Sequence, residues 1–163
     1  GLTAAIVHIF NHAISKGALF LAMGCVALIL GSVNIRDISG LGKKMPFTAF
    51  AIVIGGLSLI GVPLTAGFIS KWYLILGAID KGWWPLAIIL LLTSLLALVY
   101  IWRIVEAMYF RSSKELLEVK EAPISMMIPL YILVIMTIYF GIETSFSAGL
   151  ASEVAKYILG VSG

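Results

Sequence analysis

Apolar residues in this chain fall into four long runs, at about residues 2–31, 46–79, 83–110 and 124–142, separated by short polar connections. Runs of about 17–25 apolar residues have the length an α-helix needs to cross roughly 30 Å of hydrocarbon. The pattern predicts an all-α fold, a polytopic transmembrane helix bundle over residues 1–146. Residues 147–163 mix apolar and polar positions and read as a short C-terminal interfacial tail. No soluble domain fits between the runs.

The second run does not suit one plain helix. At about 1.5 Å per residue, residues 46–79 would form a rod roughly 50 Å long, against a hydrocarbon core of about 30 Å. Inside it lies GVPLTAG, residues 61–67, with Gly61, Pro63 and Gly67. Pro63 lacks an amide hydrogen and clashes with the preceding turn, so the helix kinks or breaks there. Two readings compete: a simple proline kink, and a discontinuous helix whose unwound backbone lines a polar cavity. Lys71, eight residues after the proline, favours the second.

Polar residues inside the first run carry the candidate chemistry. In HIFNHAISK, His8, His12 and Lys16 stand four residues apart, with Asn11 and Ser15 beside them. That spacing lines one helical face over roughly 12 Å. A lysine near the bilayer centre costs about 2.5–3.5 kcal/mol on insertion scales, so a retained one marks a functional site. Histidine titrates near neutrality, and a buried amine is readily made exchangeable. The three groups therefore form a proton-relay candidate, with Lys71 as a second buried amine. The competing readings are lysines that snorkel to the headgroups and histidines that simply hydrogen-bond between helices. Lys16 is followed by GALFLAMGCVALIL, which leaves the cytoplasmic surface too far away. Zinc at His8 and His12 lacks further ligands and the HExxH glutamate, since position 9 is isoleucine. Arg103 and Glu106, three residues apart, read as an interfacial ion pair.

Composition agrees with a membrane protein: 61% of the 163 residues are hydrophobic and 12% charged, against about 45–50% and a quarter in soluble domains. The net charge of +3 points to no nucleic-acid partner and reports orientation instead. Arg36, Lys43 and Lys44 lie in the first connection, and Arg111, Lys114 and Lys120 in the third, beside Glu115, Glu118 and Glu121. Only Lys81 and Lys156 lie in the second connection and the tail. The first and third connections are therefore assigned to the cytoplasm and both ends to the outside. Trp83, Trp84, Trp102, Tyr109 and Phe110 flank the third run as interfacial anchors. The single Cys25 sits in an apolar run, is read as a small buried hydrophobe, and offers no disulfide or metal spacing. No flavin, iron–sulfur or nucleotide motif is present, so neither cofactor nor metal is expected. The chain starts at Gly1 without an initiator Met or signal-peptide pattern, and is read as a piece of a longer polytopic protein.

HIFNHAISKGALFLAMG, followed by DISGLGKKMPFTAFAIVIGGLSLIGVPLTAGFISKWYLILGA, resembles the C-terminal half of the proton-antiporter-like membrane subunits over residues 2–111. That family covers the D-type component of the multisubunit Mrp-type Na+/H+ antiporters and the pumping subunits of respiratory complex I and membrane-bound hydrogenases. The resemblance implies two inverted helical repeats, each with a discontinuous helix, and half-channels joined by a hydrated axis of lysines, histidines and glutamates. His8, His12 and Lys16 match the ladder of the second repeat, and Lys71 the residue after its broken helix. The WYL that follows Lys71 looks closer to the Mrp-type antiporter component. By this resemblance the chain is expected to be a multi-pass subunit in the cell (inner) membrane, a transporter subunit rather than an enzyme. It would move H+ against Na+ in a hetero-oligomer with other membrane subunits. The alternative is a proton-pumping subunit of a redox complex of the NADH:quinone oxidoreductase or membrane-bound hydrogenase type. The first repeat, which supplies a glutamate and another lysine of the axis, is not in this sequence.

Overall fold

The structure is a computed structural model that describes residues 1–111 and 119–160. Lys114, Glu115 and Glu118, which entered the charge count of the third connection, lie outside the described residues. Seven helices are formed among those described: α1 Leu2–Leu30, α2 Leu41–Lys44, α3 Pro46–Ile60, α4 Ala66–Ile79, α5 Trp84–Phe110, α6 Ile124–Ile142 and α7 Ser145–Ile158. Of these, α1, α5 and α6 are long and apolar enough to cross a membrane. The all-α polytopic fold follows directly from the apolar runs.

The 46–79 run is a discontinuous helix, not a kinked one. Gly61 takes φ +90°, and its N–H donates to Ser58 O at 3.1 Å. The Val62 N–H reaches back to Leu57 O at 3.0 Å. This paired left-handed cap is a standard way to end a helix, and Pro63 follows it two residues later. The chain runs unwound through Leu64, at φ 72°, until extended Thr65 opens α4.

With 29 residues, α1 is about 43 Å long, and α3 and α4, with 15 and 14, are each about half of that. They stack end to end against α1, in the opposite sense. Gly77 of α4 approaches Gly1, while Asn11 reaches Ala66 and Ser15 reaches Ser58 on the two sides of the break. The break is therefore level with the middle of α1. Both α3 and α4 are covered by α5, whose Ile101 lies over Gly56 of α3 and whose Tyr109 lies over Gly42 of α2. On the other side α6 packs along α1, and α7 rests on the first half of α1 with Ser147, Ala151 and Ala155 buried.

The core is built largely from small residues, which let the helix backbones approach closely. Ala18, Ala22 and Cys25 of α1 meet Ala49 and Ile52 of α3 and Leu130 and Val134 of α6. Cys25 is fully buried, as its apolar setting led one to expect. Glu121 anchors the start of α3: its carboxylate accepts from the N–H groups of Phe47 (3.0 Å) and Thr48 (3.3 Å) and from the Thr48 hydroxyl. Amides left free by the first turn of a helix want such an acceptor.

One ion pair differs from expectation. Glu106 pairs with Arg111 at 3.2 Å, not with Arg103 one turn earlier. Arg111 leaves the helix with φ −93° and ψ 143°, and its own N–H bonds Glu106 O at 3.3 Å. That turn carries the guanidinium back to the carboxylate.

Candidate functional site

The ladder on α1 does not stay in one environment. Each four-residue step turns the helix by about 40° beyond a full circle, so the face drifts as it climbs. His8 is half-buried against α4, and its Nδ1 lies 3.0 Å from Ser70 Oγ. His12 stacks on His8 with ring centroids 5.4 Å apart, and by Lys16 the face has turned clear of α4. Both His12 and Lys16 are exposed on the flank of the bundle, with Lys16 Nζ 5.9 Å from the Phe20 ring centroid. The expectation that Lys16 is buried is corrected for this bundle. The buried face of α1 is the one that carries Asn11, Ile14, Ser15 and Ala18.

That buried face holds the break in place. The Gly67 N–H, an amide freed at the start of α4, donates to Ser58 Oγ at 3.0 Å. Ser58 and Ser15 hydroxyls are 2.7 Å apart, and Ser15 donates to Asn11 O at 2.9 Å. With the Ser15 proton on Asn11 O, the donors run from Gly67 through Ser58 and Ser15 to the α1 backbone. Asn11 Nδ2 donates to Ala66 O at 2.9 Å, while its Oδ1 is buried with no partner among the described residues. The approach of α3 to α4 is so close that a Cβ on Gly67 would sit 1.8 Å from Ser58 O.

Lys71 turns the other way. Adjacent residues of α4 send Ser70 toward α1 and Lys71 toward α3 and α5. The Lys71 ammonium donates to Leu59 O at 2.7 Å, Ile60 O at 3.1 Å and Ser94 Oγ at 2.7 Å. The two carbonyls are those freed by the end of α3, where the helix dipole is negative and favours a cation. The side chain therefore reaches into the break rather than to a headgroup. Among the described residues no hydrogen bond joins it to the ladder, although His8 and His12 lie within its electrostatic reach, as Lys16 does for His12. Three serines of this site, Ser58, Ser70 and Ser94, were not singled out from the sequence. Their signal was a serine in a largely apolar stretch: GGLSLIG, FISKWY and LLTSLLA, the last with Thr93 beside it.

Together, the stacked half-helices, the break level with the middle of α1 and the amine tied into it define a polytopic membrane subunit with a polar seam in its interior. The chain belongs to the family described as "NADH:quinone oxidoreductase/Mrp antiporter, TM", which it matches over residues 1–97. It is similar to NADH-quinone oxidoreductase subunit N of Desulforudis audaxviator, with 35% identity over 97% of this chain and 34% of that protein. It is also similar to F(420)H(2) dehydrogenase subunit L of Methanosarcina mazei, with 33% identity over 86% of this chain and 22% of that protein. Among solved structures, a chain of the membrane-bound sulfane sulfur reductase, an archaeal respiratory membrane complex, superposes with a TM-score of 0.82. The two are 34% identical, over 94% of this chain and 31% of that one. The chain thus spans about a third or less of the length of these relatives.

Proposed function

We propose that this chain is part of a proton-translocating membrane subunit of a multisubunit redox-driven complex. Its relay would run along His8, His12 and Lys16 of α1 and reach Lys71, which no direct hydrogen bond among the described residues links to that ladder, through water. The observation that carries the reading is the basic pair at mid-depth: Lys16 on the α1 face and Lys71 tied into the broken helix. Neither site is affordable in lipid, where a lysine at the bilayer centre costs about 2.5–3.5 kcal/mol or more. The exposed flank with His12 and Lys16 is read as facing further polypeptide and water. Redox complexes are favoured as the setting because the relatives above are named for them. Residues 1–146 would then be the membrane-embedded bundle and 147–163 a tail at its outer boundary, in a multi-pass subunit of the cell (inner) membrane. The partners would be other membrane subunits of the hetero-oligomer, the bilayer and H+.

The second reading is a Na+/H+ antiporter subunit of the Mrp type, supported by the antiporter half of the family description. One experiment addresses both. In the full-length protein within its complex, Lys16→Ala and Lys71→Ala are compared with wild type for proton uptake by membrane vesicles, with and without Na+. The redox-pump reading expects uptake that needs an electron donor, is indifferent to Na+, and falls at least about a hundredfold in both variants, the scale of losing a positioned acid–base group. A strict Na+ requirement would favour the antiporter. Normal uptake in both variants would remove the relay.

A further inference from the structure

An ammonium carries three N–H donors and no acceptor; a neutral amine carries two donors and one lone pair. A side chain that cycles between these forms inside a protein changes its hydrogen-bonding demand at each step. Buried groups left unmatched are disfavoured, so a fixed cage suits one form and expels the other. The surroundings of Lys71 avoid this conflict. Its three partners are two backbone carbonyls, Leu59 O and Ile60 O, and one hydroxyl, Ser94 Oγ.

The carbonyls can only accept. The hydroxyl can accept or donate by rotating about its Cβ–Oγ bond. In the ammonium form, all three N–H groups are taken, and the Ser94 hydroxyl is free to donate to Leu90 O, at 3.2 Å. In the neutral form, two N–H groups stay on Leu59 and Ile60, and the lone pair faces Ser94. The hydroxyl then turns from Leu90 O to the amine. Leu90 O is not left unmatched, since it keeps its helical bond to the N–H four residues on and accepts from the Thr93 hydroxyl at 2.8 Å.

We propose that Ser94 is the switching partner of Lys71, a positioning residue on α5 that satisfies the amine in both protonation states and holds it at the helix break throughout its proton cycle. This rests on the reading of Lys71 as an exchanging group. The stem of Lys71 passes close beside Gly61, where an added Cβ would lie 3.0 Å from its Cδ. Of the side chains around the head, the titratable ones within electrostatic reach are His8 and His12 of α1. The face supplied by α5 is the neutral hydroxyl.

The test uses the full-length protein in its assembled complex, with Ser94→Thr, Ser94→Val and Lys71→Ala measured side by side. Thr and Val have nearly the same shape and differ in the hydroxyl, so a packing role moves both alike. Proton uptake by vesicles is recorded across pH, and the complex is quantified in the membrane. The expected result is near-normal uptake for Ser94→Thr and a plateau lowered at least about tenfold at every pH for Ser94→Val, as for other positioned proton-handling groups. If Ser94 only accepted from the ammonium, Ser94→Val would shift the pH profile and leave its plateau intact, which overturns the proposal. Equal activity of Thr and Val variants overturns it too. In either case loss of uptake in Lys71→Ala leaves the Lys71 reading standing. Normal uptake in Lys71→Ala removes that reading and this proposal together.

Discussion

At the residue scale, hydroxyls and amides in apolar runs decide where the basic groups point. Ser58 serves two helices at once: it accepts from the Gly67 N–H and joins Ser15 on α1. Ser58→Ala strands a buried amide and is expected to cost about 1–3 kcal/mol, read as a lowered Tm of the detergent-solubilised complex. An unchanged Tm would show that the helices are held by packing alone. Lys71→Arg keeps the charge but brings a planar five-donor head to a cage of three acceptors. Assembly is expected to survive and proton uptake to be lost, because guanidinium does not release its proton. Uptake equal to wild type would show that charge, not exchange, is what Lys71 supplies.

At the element scale, the broken helix separates what a sequence states from what only packing reveals. GVPLTAG announced an interruption, and the length of its run showed that one straight helix would not fit. Pro63 drew attention as the breaker, yet the stop is made one step earlier by Gly61 at φ +90°. Pro63→Ala is therefore expected to leave assembly and uptake near wild type. Gly61→Ala forces a side chain into the left-handed region, at about 1–2 kcal/mol, and presses on Lys71; uptake should fall clearly. The reverse ranking would return the break to the proline. Gly67→Ala puts a carbon onto the Ser58 carbonyl and should lower the amount of assembled complex on an immunoblot, since overpacking of this kind costs about 1–3 kcal/mol or more. The period-four ladder was legible in the sequence, but its environment was not. A drift of about 40° per step carries Lys16 out of the contact that half-buries His8, and a one-dimensional pattern does not say which neighbour covers each angle. Likewise, Ser70 and Ser94 became visible only when adjacent residues of α4 were seen to face different helices. Glu121, counted among loop charges, proved to cap α3 for a similar reason: its partner is far away in sequence.

At the scale of the whole molecule, α1 has one packed face and one exposed face. Small residues seal it against α3 and α6, whereas His12 and Lys16 lie on its exposed flank. The chain spans 34% and 31% of the length of the subunit N relative and the reductase chain, and the proposed relay requires that flank to be an internal, hydrated contact. Thiol labelling follows from this. In the assembled complex, Lys16→Cys should react with a small water-soluble thiol reagent, while buried Cys25 stays unlabelled. Silence at position 16 would place it in lipid or in dry packing. The most direct measurement is a density map of the complete complex at a resolution that shows ordered water. Water is expected to link Lys16 Nζ and His12 toward Ser70, with Lys71 Nζ held by Leu59, Ile60 and Ser94. Lys16 extended among phospholipid headgroups, with dry contacts between His12 and its neighbours, would contradict the relay.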